Sequence, residues 1–191
     1  PRTAQFEKEF AAFCGTRFAA GVGSGTDALW MALLGLGTGP GDEVITSPSS
    51  FVASANCAIY EGATPVFADI DPHTLNLDPA AVEAAVTDRT KAVVAVDIFG
   101  YPSELEELQA LCERRGLTLI DDSCEALGAV YKGRPLGSQG QDAVWAFYPN
   151  KQITTGEGGM VVTDDSRWDA LTRSLRNQGR DVFDEWLAHT R

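Results

Sequence analysis

Lys151 follows the apolar run Trp145-Ala146-Phe147-Tyr148-Pro149-Asn150. Beyond it lie Gly156-Glu157-Gly158-Gly159 and a second apolar run, Met160-Val161-Val162-Thr163. The pattern predicts strand, Pro-kinked loop, strand, with the lysine just past a strand end, where α/β sheets keep their chemistry. Lys8, Lys91 and Lys132 lie instead among charges or turn residues. A lysine with a desolvated stem can shed its proton and attack a carbonyl, the property a Schiff-base lysine requires. One in a solvated loop only decorates a rim. A second chemical candidate is the pair Asp121-Asp122, at the end of the apolar run Leu117-Thr118-Leu119-Ile120. Neighbours on a strand face opposite sides, so only one of the two need enter a cleft, and a buried carboxylate needs a partner. Either acid could equally cap a helix over 123–127.

The third candidate is Gly23-Ser24-Gly25-Thr26, between the apolar Phe18-Ala19-Ala20-Gly21-Val22 and the helical pattern Asp27 to Leu34. Strand, small-residue turn and helix start form an anion cradle, because free backbone N–H groups and the Ser24 and Thr26 hydroxyls face the ligand along the helix dipole. An ordinary N-capped helix has the same look. Gly21 and Gly23 also match two glycines of a dinucleotide fingerprint. However, Thr26 stands at the third glycine position and no acid ends the next strand, so that reading ranks lowest.

These residues need a frame that brings them together. A helix over Arg2–Cys14 stops at Gly15. Strands are expected at 18–22, 43–47, 65–68, 92–96 and 117–120, the last running into Asp121-Asp122, with helices at 27–34, 51–60, 79–86, 103–115 and 166–176 between or after them. Residues 131–137 read as a hairpin or loop. Strands separated by single helices imply an α/β domain with a mainly parallel sheet and right-handed crossovers. The tail stripe Trp168, Leu171 and Leu175 is core packing, and Trp186 and His189 carry no signal.

The 191 residues suffice for one domain with a core of its own. A formal net charge of -12, with no basic run longer than Arg114-Arg115, argues against a nucleic-acid surface. Cys14, Cys57, Cys112 and Cys124 are too scattered for a disulfide frame or a zinc site, which favours reduced thiols and a cytoplasmic protein. No run is apolar for long enough to span a membrane, and no leader pattern precedes the first helix. Both chain ends read as cuts in a longer protein.

Taken in order, the anion turn, Phe51, the strand-end Asp122 and Lys151 form a series that resembles the fold-type I pyridoxal-phosphate enzymes, specifically the DegT-like nucleotide-sugar aminotransferases. The matching stretches are Ser24-Gly25-Thr26-Asp27-Ala28-Leu29, Gly39-Pro40-Gly41-Asp42-Glu43-Val44-Ile45, Phe51 to Asn56, Gly62 to Asp71, Asp121 to Ala129, and Phe147-Tyr148-Pro149-Asn150-Lys151. The resemblance implies a three-layer α/β/α large domain over 1–191, incomplete, with a smaller C-terminal domain absent from this chain, which alone would be inactive. It implies pyridoxal 5'-phosphate as cofactor, no metal, and a homodimer whose neighbouring subunit completes the phosphate site.

By the same resemblance Lys151 bonds the cofactor and shuttles a proton. Asp122 pairs with the pyridinium nitrogen. Gly25, Thr26 and Asp27 hold the phosphate, Phe51 stacks on the ring, and Glu125 approaches the phenolic oxygen. The implied activity moves an amino group, with glutamate as donor, to a nucleotide-linked keto-sugar by a ping-pong route. A sugar dehydratase is the neighbouring alternative, and it carries histidine at the lysine position. A non-catalytic regulatory relative is the other. Two positions depart from the common pattern. Ala146 stands where many members place a phosphate-binding serine, and Glu125 stands where many have glutamine.

Overall fold

Short runs of Val, Ile and Ala, buried on both faces, can only be central strands of a covered sheet. A computed structural model describes residues 2–180; Trp186 and His189 lie outside them. The elements in order are α1 (Arg2–Cys14), β1 (Phe18–Val22), α2 (Gly25–Gly35), β2 (Glu43–Thr46), α3 (Ala53–Tyr60), β3 (Thr64–Phe67), α4 (Pro79–Ala85) and β4 (Thr90–Val96). They continue with α5 (Leu105–Arg115), β5 (Thr118–Asp122), a two-residue hairpin of β6 (Val130–Tyr131) and β7 (Arg134–Pro135), β8 (Asp142–Ala146), β9 (Gly159–Thr163) and α6 (Ser166–Leu175).

Seven strands form one sheet in the order β1-β9-β8-β5-β4-β2-β3. The pairs β3–β2, β2–β4, β4–β5 and β5–β8 are parallel, and β9 runs antiparallel to both β8 and β1. The sheet is therefore mainly parallel, as the strand–helix alternation predicts. One face carries α1, α4 and α5 over Ile45, Val93, Leu119, Trp145 and Met160. The other carries α2, α3 and α6 over Val44, Val94, Ile120, Val144 and Val161. This is the three-layer arrangement.

Two helices begin later than their sequence pattern predicts. Ser103 donates its backbone N–H to Asp97 Oδ1 at 2.7 Å and its hydroxyl to the Val96 carbonyl at 3.2 Å, so the chain is pinned to the end of β4 and α5 starts at Leu105. Phe51 and Val52 form only a tight turn before α3, with Ser54 N–H on the Phe51 carbonyl at 3.2 Å. All four cysteines are free thiols, in agreement with their scatter. No described helix is long and apolar enough to cross a membrane.

One buried charge closes the sheet edge. Glu7 of α1, 5 % exposed, takes Arg173 Nη1 on Oε2 at 2.9 Å and both Arg176 and the Gly21 N–H, the latter at 2.9 Å, on Oε1. It thereby joins α1, α6 and the end of β1. Burial alone would raise its pKa, but Arg173, the Gly21 amide and Arg176 outweigh burial and hold Glu7 below its ordinary 4.5. Its contribution is thus complete above that value and fades as pH falls through the lowered folded-state value. Glu7→Gln should cost roughly 2 kcal/mol, under the range for a fully buried pair because the arginines keep partial solvent contact. Denaturant titrations of both proteins should show the difference at pH 7 and its shrinkage below pH 4.5; an equal gap at pH 3 would refute the charge as its source.

Candidate active site

Because β1, β2, β4, β5 and β8 point the same way, their C-terminal ends share one edge of the sheet. There the strand order diverges, with β4, β2 and β3 on one side of β5 and β8, β9 and β1 on the other. That divergence is where open α/β sheets bind ligands.

The turn before α2 is a built cradle. Ser24, in extended conformation, accepts the Asp27 N–H on its hydroxyl at 3.0 Å, and the Ala28 N–H reaches the Ser24 carbonyl at 3.1 Å. The cap uses the Asp27 amide, which leaves the Gly25 and Thr26 amides as the helix's free donors. A β-carbon on Gly25 would stand 2.7 Å from Ala146 Cβ and 2.9 Å from Cys124 Sγ. One on Gly159 would stand 2.3 Å from the Ser24 carbonyl oxygen. The turn is therefore wedged between β5, β8 and β9, and its two glycines are required by contact. Ala146 lines this wedge with a methyl group, so the chain supplies no hydroxyl there.

Of the two neighbouring acids, Asp122 shares a sheet face with Ile120, below the α2 turn, and Asp121 lies on the opposite face. No helix follows either one, since residues 123–128 are turns. Asp122 Oδ1 nevertheless accepts the Cys124 N–H at 3.2 Å. Burial pushes the Asp122 carboxyl up, against the pull of the Cys124 thiol and amide; the Asp97 charge adds to the rise and the Lys151 ammonium opposes it. Burial likewise drives the Cys124 thiol well above its ordinary value, with Asp122 adding to the rise.

Lys151 lies in the loop between β8 and β9, which is cinched at its base by Phe147 N–H on the Gly158 carbonyl at 2.8 Å and Thr155 N–H on the Phe147 carbonyl at 3.0 Å. Its side chain is 15 % exposed, and Nζ meets Glu125 Oε1 at 3.3 Å. Its positive charge also reaches Asp122. Stretches far apart in the chain are therefore together: Lys151, the Asp122–Glu125 segment and the turn that bears the Gly25 and Thr26 amides. Phe51 lies on the same edge, after β2, with its ring 72 % exposed.

The strand-end pattern also contains an acid that the sequence reading did not single out. Asp97, directly after β4, is fully buried; its Oδ1 takes the Ser103 amide at 2.7 Å and its Oδ2 the Ser123 hydroxyl at 2.9 Å. Its signal was the run Val93-Val94-Ala95-Val96 ending in a carboxylate, the same pattern that marked Asp122. Asp97 and Asp121 form a carboxyl pair. Burial first, then the Asp97 charge, raises Asp121 far above the carboxylate range. Asp97, itself raised by burial, is the better supplied with donors. Asp121 is therefore the member of the pair whose proton affinity is raised the more.

With this geometry in hand, comparison with known proteins is specific. The model of the DegT/DnrJ/EryC1/StrS aminotransferase family matches residues 1–190. The chain belongs to that family. It is 47 % identical to GDP-perosamine synthase of Caulobacter vibrioides over 93 % of its length and 48 % of that relative's. Among solved structures, DesV of S. venezuelae, in complex with a ketimine intermediate, superposes with a TM-score of 0.92 at 43 % identity, over 96 % of this chain and 50 % of that one. NtdA of Bacillus subtilis, with bound cofactor PMP, superposes at 0.86 and 32 % identity, over 91 % and 39 %. The chain thus spans about half the length of these relatives or less, and the fold is the fold-type I, mainly parallel α/β/α arrangement expected.

The wedge makes a structural prediction. Gly159→Ala places a methyl carbon inside the Ser24 carbonyl contact, so the turn must shift, at a cost of roughly 1–3 kcal/mol. Chemical denaturation measures it; an unchanged midpoint would show that the turn moves aside freely.

Proposed function

We propose that this chain is the cofactor-binding large domain of a pyridoxal-phosphate aminotransferase acting on a nucleotide-linked keto-sugar, with glutamate as amino donor. The single observation that carries this reading is that Lys151 Nζ, paired with Glu125, lies near enough to the buried Asp122 carboxyl for its charge to act there, while Asp122 is joined through Cys124 to the Gly25 turn that opens α2.

The residues fit the cofactor. A buried carboxylate that has no cation in direct contact among the described residues suits a ring N–H⁺, which would draw the proton balance of Asp122 back toward the anion. Gly25 and Thr26 offer amides, and Ser24 and Thr26 offer hydroxyls, for a phosphate at a helix N-terminus. Bound there, pyridoxal phosphate supplies an electron sink for a carbanion at the amine-bearing carbon. Lys151 would be the amine that holds the cofactor through its carbonyl, and its Nζ would be the group placed to move a proton at the substrate carbon. The low exposure of Lys151 limits water at that atom. Glu125 orients Lys151 through their ion pair and would lie toward the cofactor's phenolic oxygen, and Phe51 would cover the ring. Amine enters from the amino acid in one half of the cycle and leaves to the sugar carbonyl in the other.

Relatives named as sugar aminotransferases or amino-sugar synthases support the substrate class. We place the smaller C-terminal domain, and the second subunit of a homodimer that completes the phosphate site, outside this chain; the half-length match to its relatives supports the first. Lys151 itself speaks against the dehydratase alternative, in which histidine replaces it.

Borohydride reduction of the full-length protein loaded with pyridoxal phosphate should fix the cofactor mass on the peptide containing Lys151, read by peptide mass mapping. Mass on any other lysine would sink the assignment. Asp122→Asn, which cannot carry the counter-charge, should slow the glutamate half-reaction about 100-fold while Lys151 still labels, the worth of one charge-assisted contact; stopped-flow absorbance reads it.

A further inference from the structure

Phe99 combines three features that the reading above leaves unused. It sits in a single 3₁₀ turn, Ile98–Gly100, directly after Asp97, with φ of +52°. A residue with a β-carbon rarely adopts that left-handed conformation, because the β-carbon crowds the backbone there. Its phenyl ring is 79 % exposed, so burial of the ring within this chain does not offset that crowding. Its backbone N–H donates to Glu125 Oε2 at 3.1 Å, and the other oxygen of the same carboxylate holds Lys151 Nζ at 3.3 Å. One carboxylate therefore links the strained residue to the reactive amine.

The turn is held in place from both ends. Gly100 N–H returns to the Asp97 carbonyl at 3.1 Å and Tyr101 N–H to the Ile98 carbonyl at 3.0 Å. Asn76 bridges the turn, its Oδ1 taking the Ile98 N–H at 3.0 Å and its Nδ2 donating to the Tyr101 carbonyl at 2.8 Å. Gly100 packs on the backbone of Glu125, where a β-carbon would lie 3.1 Å from the Glu125 carbonyl oxygen. Asp97 anchors the base through Ser103 and Ser123. Strain that the surroundings over-determine in this way is a mark of functional sites, where it presents a side chain that a relaxed turn would withdraw.

From this we infer that Phe99 is a specificity-determining residue that packs against the sugar ring of the nucleotide-linked substrate at the mouth of the Lys151 cleft, with Glu125 as the positioning residue that fixes it relative to the reacting amine. A phenyl face suits the apolar C–H face of a pyranose. The sugar rather than the nucleobase is its partner, because the turn shares a carboxylate with the amine that must reach the sugar carbonyl. The inference rests on the proposed function, which names the substrate class.

The test uses full-length protein loaded with pyridoxal phosphate. Calorimetric titrations employ dTDP-glucose, UDP-glucose and GDP-glucose as unreactive probes, each beside its nucleoside diphosphate. Phe99→Gly removes the ring and suits the positive φ, so its thermal midpoint should equal or exceed that of the parent, which a merely structural role for the ring would not allow. It should weaken the best-bound nucleotide sugar about tenfold and the matching diphosphate by less than about twofold; Phe99→Trp should stay within about threefold of the parent for both, as expected for an aromatic contact. Unchanged sugar binding in Phe99→Gly, equal loss for the diphosphate, or a parent that binds none of the three probes would overturn the inference. So would dissociation of the oligomer in sedimentation, which would assign the ring to a subunit contact. Borohydride labelling of the same samples separates the two readings: Phe99-dependent sugar binding without label on Lys151 would support this inference and overturn the reaction assigned above.

Discussion

The common direction of β2, β4, β5 and β8 is the constraint that everything at this site obeys. Parallel strands end together, so Thr46, Asp97, Asp122 and Ala146 reach the same edge although the chain travels through whole helices between them. β9 then reverses, and its first residue, Gly159, pairs with Ala146. The loop from 147 to 158 must leave and re-enter the sheet at neighbouring positions, which confines Lys151 to the cleft edge. Close contact of Gly159 with the Ser24–Gly25 backbone brings the α2 turn to the same place. Fixed strand polarity and two sites without room for a side chain thus assemble groups that stand more than 120 residues apart.

Electrostatics at the edge is a problem of too many acids. Asp97, Asp121 and Asp122 are all buried, and several unpaired negative charges in a low-dielectric interior would be costly. The structure disperses them. Asp121 on one face of β5 has its proton affinity raised far above the carboxylate range, Asp97 is wrapped by the Ser103 amide and the Ser123 hydroxyl, and Asp122 on the other face feels the Lys151 charge. The Asp97 carboxylate then does double duty. It raises the proton affinity of Asp122 and pins the start of the α5 segment, while the Asp97 backbone carbonyl takes the Gly100 N–H of the turn that bears Phe99.

Much of this was legible in the residues. Apolar runs ending in punctuating residues placed the strands within a residue or two, and the position of Lys151 beyond a strand end followed from Pro149 and the glycines around 156–159. The division of labour between Asp121 and Asp122 was half legible: alternation along a strand says that only one enters the cleft, and the register with β4 and β8 decides which. The antiparallel pairings of β9 with β1 and β8 were invisible, because pairing direction is a long-range property that a local pattern does not encode. Asp97 escaped because the Asp121-Asp122 doublet is the louder form of the same signal. The late start of α5 escaped because the Asp97 side chain captures Ser103 where the helical pattern begins, and that of α3 because Phe51 and Val52 close a tight turn instead. The strain at Phe99 has no signature in sequence, since nothing about a phenylalanine before a glycine announces a left-handed turn.

Cys124 sets a chemical condition on the whole cleft. Its sulfur lies against the small-residue turn, beside the place where we propose that a carbonyl-bearing cofactor binds, and thiolates add readily to carbonyls. Burial and the neighbouring carboxylate keep this sulfur protonated, so the competing nucleophile is silenced where it stands. Selectivity for nitrogen over sulfur is thereby written into the solvation of the cleft wall, and it would weaken with any change that let water reach that thiol.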